Sequence, residues 1–181
     1  MTALVLAAVL LLQQRPLQPQ VSDTTAQAAS RATISGVGLA VAEVRGALDL
    51  FRRAVFNDPD AVVVERAQLL RGKCDALAAA ARVARPQICR TCFHGAQPEI
   101  ERYRTSLGAT VQASARCVRT VDGLARERNA GAAFKRGFRP LSQELIAGLL
   151  PYENSIHALR VALGLEVPVQ VQRQAPLVRR P

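Results

Sequence analysis

Four side chains in this sequence carry an obvious covalent chemistry: Cys74, Cys89, Cys92 and Cys117. A thiol can serve as nucleophile, metal ligand or half of a disulfide, and its surroundings decide which. Cys89-Arg90-Thr91-Cys92 has the spacing of a redox dithiol, but that chemistry belongs to a strand-and-helix context, and the flanking sequence here has helical periodicity. His94 could join it as a third zinc ligand. Structural zinc, however, takes its ligands as two close pairs, and Cys74 and Cys117 each stand singly. Disulfide bonding is the reading that uses all four sulfurs.

The remaining candidates for catalysis are sparse. His94 and His157 are the two histidines, and His157 falls on the polar flank of a short amphipathic stretch, where a solvated side chain accounts for it. Glu99 and Glu101 adjoin a helix start, where the helix dipole stabilises carboxylates. No Gly-rich phosphate loop, nucleophile elbow or His-Glu metal motif occurs. The expectation is therefore a protein that is not an enzyme, with no metal and no cofactor.

Disulfides persist in oxidising compartments, and the N-terminus points to one. Thr2 to Leu12 is an apolar run without charge, the length of a signal-peptide core. It is too short to cross a bilayer core of about 30 Å as a helix, so no stable membrane anchor is expected. No Lys or Arg precedes the run, and no small-x-small site lies close behind it; Ala26-Gln27-Ala28 has suitable residues farther on, placing cleavage between Gln14 and Ala28. Residues 13–23 hold two prolines and four glutamines, a composition that cannot bury enough surface to order itself. Residues 1–22 thus read as signal peptide and linker, and the mature protein as secreted and extracellular.

The elements that must position the cysteines follow from composition and periodicity. Of 181 residues, 49% are apolar but seven are aromatic, so the core of the one domain that this length allows is built from Ala, Val and Leu. Such residues pack between closely spaced helices, which predicts an all-α, disulfide-stapled helical bundle over residues 24–165. Ile34, Val37, Val41, Val44, Leu48, Phe51 and Val55 recur at spacings of three and four, one face of a first helix. After Asn57-Asp58-Pro59-Asp60 the pattern restarts with Val63, Ala67, Leu70, Cys74, Leu77 and Ala81, up to Pro86. Pro98 opens a third helix whose stripe is Ile100, Tyr103, Leu107, Thr110, Ser114, Cys117, Val121 and Leu124. Cys74 and Cys117 both point inward on these helices.

The last part is expected in two pieces. Phe134, Phe138, Leu141, Leu145 and Leu149 suggest a helix interrupted near Pro140 and stopped by Pro151; Tyr152 to Leu165 then forms a final amphipathic helix through Ile156, Leu159 and Leu163. Residues 166–181, with their prolines, glutamines and arginines, read as a disordered tail.

Four cysteines allow three pairings. If residues 86–97 run back along the second helix at about 3.3 Å per residue, Cys92 comes level with Cys74, and the rise of the third helix carries Cys117 back towards Cys89. That geometry favours Cys74 with Cys92 and Cys89 with Cys117.

The stretch Cys92-Phe93-His94-Gly95-Ala96-Gln97-Pro98-Glu99-Ile100, followed by Tyr103 and Cys117, resembles the TsetseEP family of secreted insect proteins. The likeness covers about residues 30 to 150. It implies a signal peptide, an all-helical domain with four cysteines matched by Cys74, Cys89, Cys92 and Cys117, and no established enzymatic activity.

The formal charge of +10 rests on arginine, with Lys at 73 and 135 alone. Guanidinium groups bind oxyanions in two-point geometry, so polyanions are possible partners. The arginines are nevertheless scattered, without a dense run interleaved with aromatics, and Arg, Ala, Val, Gly and Leu are jointly enriched by GC-rich codons; nucleic acid is not the expected partner. The function these features suggest is a secreted, non-catalytic helical interaction module for an extracellular protein or ligand. The alternatives are an Arg-rich polyanion binder and a carrier of small apolar ligands.

Overall fold

The computed structural model describes residues 21–163. The apolar run Thr2 to Leu12 and the tail 166–181 lie outside the described residues. Within them the chain forms four α-helices and no strand: α1 (Val21–Asn57), α2 (Asp60–Gln87), α3 (Gln97–Ala125) and α4 (Ala130–Ala162). The bundle is all-α and disulfide-stapled. No helix among the described residues is long and apolar enough to cross a membrane.

Each helix buries the stripe that its periodicity marks. Val63, Ala67, Leu70, Cys74, Leu77 and Ala81 are all buried on α2; on α3 the stripe from Ile100 to Val121 is buried and Leu124 partly so. On α1 the buried residues include Ile34, Val37, Val41, Val44 and Phe51, with Leu48 and Val55 at the margin. Burying a Leu, Ile, Val or Phe side chain contributes about 1.5–3 kcal/mol, so these stripes are the main force holding the helices together. Pro98 occupies the first turn of α3, and Asn129 caps α4 by accepting a hydrogen bond from the Ala132 amide at 3.1 Å.

Two expectations about helix limits are corrected. The first helix begins at Val21, inside the stretch 13–23 expected to be linker, because the run beyond Pro19 contains no further helix breaker. The last region is one continuous helix through Pro140 and Pro151, where an interruption and a stop were expected. Both prolines lie on the exposed side, so water can satisfy the carbonyls they leave without an amide. The unbroken buried stripe Phe134, Phe138, Leu141, Leu145, Leu149, Tyr152 and Leu159 keeps the helix continuous through them.

Successive helices run antiparallel, and their registers can be read from contacts. Between α1 and α2, Lys73 Nζ meets Glu43 Oε2 at 3.1 Å; between α2 and α3, Arg71 Nε meets Asp122 Oδ1 at 2.8 Å. The α3/α4 seam is closely packed. A Cβ added at Gly148 would lie 2.4 Å from Ala113 Cβ, and one at Gly137 would lie 2.6 Å from Leu124 Cδ1. Farther along the same seam, the buried Ser106 and Ser155 hydroxyls bond to each other at 2.7 Å. The first and last helices touch far less than sequential neighbours do, so the bundle stays open along α1/α4.

Candidate functional site

The cysteines are joined as Cys74 with Cys117 and Cys89 with Cys92, at Cα separations of 6.4 and 5.7 Å. The favoured pairing of Cys74 with Cys92 and Cys89 with Cys117 is therefore overturned. Its premise was that residues 86–97 double back along α2. Instead Cys74 stands 13 residues before the end of α2 while its partner stands 20 residues after the start of α3. At 1.5 Å per residue, α3 thus begins about 10 Å beyond the end of α2. The connection travels outward, and its two cysteines can reach only each other.

That connection forms a cap which grips the start of α1. Ser30 Oγ accepts a hydrogen bond from the Cys89 amide at 3.0 Å, and the Gln27 side-chain amide donates to the Cys92 carbonyl. Arg104 Nη1 donates to the Ile88 carbonyl at 3.1 Å. Gly95 turns the chain with φ of 84°, a left-handed conformation that a side chain would resist. Phe93 is buried beneath the Arg31 guanidinium, 5.8 Å from the ring centre. His94 and His157 are exposed, and both sulfurs beside His94 are consumed in a disulfide. Among the described residues, no three His, Cys, Asp or Glu side chains gather into a metal-binding group.

The candidate site is a cleft of about 670 Å³ in the open seam between α1 and α4. Its apolar lining includes Ile34, Val41, Tyr152, Ile156 and Leu163; its rim carries Arg31, Arg45, Glu153 and Arg160. The cleft exists because two features hold α1 off α4. At one end, Phe51 packs edge-on against Phe134 and Phe138, with ring centres 5.9 and 5.2 Å away. At the other, the cap ties α1 to the α2–α3 connection. Midway, α1 presents Gly38, whose missing side chain leaves the Tyr152 hydroxyl as the neighbour, 3.5 Å from where a Cβ would sit. The Arg45–Glu153 ion pair crosses from one helix to the other.

Beneath the cleft lies a tyrosine pair. Tyr103 is fully buried on α3 and stacks at a tilt on Tyr152, ring centres 5.7 Å apart. The two hydroxyls interact electrostatically, yet Tyr103 Oη makes no aligned hydrogen bond. Burial, and then the neighbouring Tyr152, push the Tyr103 phenol far above its ordinary range; burial likewise raises Tyr152. Both are neutral donors at physiological pH. A second groove, of about 540 Å³, runs between α3 and α4 over the Ser106–Ser155 pair, beside Pro98 and Pro151.

The four cysteines were the residues that sequence reasoning singled out, and none lines the cleft. Sequence reasoning missed Arg31, Arg45, Tyr152 and Arg160, which come from opposite ends of the chain. The available signal was Gly38, a glycine in the middle of a long helical pattern. No family model, curated protein or solved structure matches this chain.

Proposed function

We propose that this chain is a secreted, non-catalytic helical module that acts by binding, and that the α1/α4 cleft is where it binds. The observation that carries the reading is an amphipathic cleft of about 670 Å³ left between α1 and α4, helices that touch far less than sequential neighbours do. Small-molecule sites are concave, largely apolar and provided with a few fixed polar groups, and this cleft has that make-up. Secretion is supported by the apolar run Thr2 to Leu12 and by the two disulfides, and the TsetseEP-like stretch around Cys92 agrees with it.

Among the alternatives, the geometry favours a carrier of small ligands over a polyanion binder. Carboxylates engage ten of the cations among the described residues, Arg45 and Arg71 included, so the basic character is dispersed over the helices. The test is titration with the neutral dye Nile red. The oxidised wild type should bind it saturably, and Gly38→Phe, which fills the cleft, should abolish binding while leaving helicity intact. Equal binding by both proteins would refute the cleft as the seat. Four alkylatable thiols in protein isolated from its natural source would refute secretion.

A further inference from the structure

We infer that the Cys89–Cys92 disulfide is a reversible modification site: an external dithiol reduces it in the folded protein and so releases the first turns of α1, while Cys74–Cys117 stays oxidised. The two bridges differ in access. Cys74 and Cys117 are 0% and 2% exposed and join two packed helices, so a thiolate reaches them only when the bundle opens. Cys89 is half-buried, and its sulfur lies 4.0 Å from the hydroxyl of the exposed Thr91, in the connection from Ile88 to Ala96. Exposed bridges are the labile ones. Cys92 is buried, which leaves Cys89 as the sulfur open to attack. A thiolate of the dithiol attacks Cys89 Sγ, the S–S bond breaks, and Cys92 leaves as a thiolate that takes up a proton. The second thiol of the reductant then gives up its proton and displaces Cys89, which becomes a thiol in turn. Two electrons have passed to the protein, and the products are two cysteine thiols and the cyclic disulfide of the reductant.

What the bridge holds is the start of α1. Gln27 and Ser30 stand one helical turn apart, a spacing of about 5–6 Å between Cβ atoms. The bridge sets Cys89 and Cys92 at a matching 5.7 Å between Cα atoms. The Cys89 amide thus meets Ser30 Oγ at 3.0 Å while the Cys92 carbonyl meets the Gln27 side-chain amide. Without the bond, three residues of chain can stretch to about 10 Å, and the two contacts lose their common spacing. Apolar packing contributes little at this end of α1. From Thr24 to Thr33 the one buried residue is Ser30, with Ala26 partly packed on the core, and the buried apolar stripe starts at Ile34. A third tie, Arg31 over the Phe93 ring, also ends on the connection. Ile88 and Ala96 are buried at the two ends of that connection, so the turn between them can loosen with the bundle intact.

The experiment uses the oxidised full-length protein, with dithiothreitol as the dithiol. Iodoacetamide labelling with peptide mapping follows the sulfurs, and amide hydrogen exchange follows α1; neither readout involves the cleft. Cys89 and Cys92 should take the label about tenfold or more faster than Cys74 and Cys117. In the half-reduced protein the amides of residues 24–33 should exchange about tenfold faster, with those of residues 63–81 unchanged. Oxidised glutathione should restore slow exchange. Gln27→Ala with Ser30→Ala, which removes both ties and keeps the bridge, should give the same fast exchange without reductant. Cys89→Ser with Cys92→Ser should give it with or without reductant. Labelling of all four cysteines in one step, or of none before the protein unfolds, would overturn the selective site. Labelled Cys89 and Cys92 with exchange of residues 24–33 unchanged, or slow exchange in oxidised protein carrying Gln27→Ala and Ser30→Ala, would overturn the hold on α1.

Discussion

The α3/α4 seam and the α1/α4 seam both contain a glycine in the middle of a long helix, with opposite results. On α4, Gly148 faces Ala113, and the absent side chain lets two backbones close until an added Cβ would collide at 2.4 Å. On α1, Gly38 faces the end of a tyrosine, and the absent side chain leaves space. The difference lies in what separates the helices elsewhere. The α3 and α4 helices follow each other through a short turn and meet along small residues. The α1 and α4 helices are propped apart by Phe51, Phe134 and Phe138 at one end and by the disulfide cap at the other. A glycine closes a seam when its partners are small and in register, and opens one when neighbouring bulk already fixes the spacing.

The comparison can be broken in order of expected effect. Cys74→Ala with Cys117→Ala removes the covalent tie of the closed half and should lower unfolding stability by about 4 kcal/mol in urea denaturation, given its loop of 43 residues. A loss as small as that of Cys89→Ala with Cys92→Ala, expected near 1.5 kcal/mol for a loop of three, would show that packing alone fixes α2 against α3. Next, Gly148→Ala should destabilise by about 1–3 kcal/mol, since the added methyl overlaps Ala113. Gly38→Ala should be neutral or stabilise by up to about 1 kcal/mol, because it gains helix propensity and meets ordinary contact. Equal effects at the two glycines would erase the distinction between the seams.

The smallest effect concerns Tyr103. Its hydroxyl is buried without an aligned hydrogen bond, so Tyr103→Phe should leave stability unchanged or raise it by up to about 1 kcal/mol; a clear loss would reveal a partner for that oxygen. The raised phenol also sets a pH dependence. The folded state holds its proton above the range in which the unfolded chain releases it, so stability is complete below about pH 10 and declines as pH rises beyond that. Tyr103→Phe should flatten this alkaline decline, as followed by circular dichroism at successive pH values.

Legibility differed in the same way between the two regions. Spacings of three and four marked the buried face of every helix, down to the inward position of Cys74 and Cys117, because burial of a helical stripe is a local consequence of residue order. Pro140 and Pro151 misled, since a proline breaks an isolated helix but is tolerated where packing on the far side supplies the missing stability. The cysteine pairing misled for another reason. It turned on whether nine loop residues travel outward or back, which no local pattern encodes.

The amino-acid order by itself determined the helical class, the faces turned inward and the availability of four sulfurs for bridging, since each depends on neighbours within one or two turns. The tertiary structure alone decided which sulfurs joined, that α4 runs unbroken, and that Arg31 and Tyr152, far apart in the chain, line one cleft. Those outcomes depend on the relative register and spacing of helices far apart in the chain, which are set by the packing of bulky and small side chains from several helices at once.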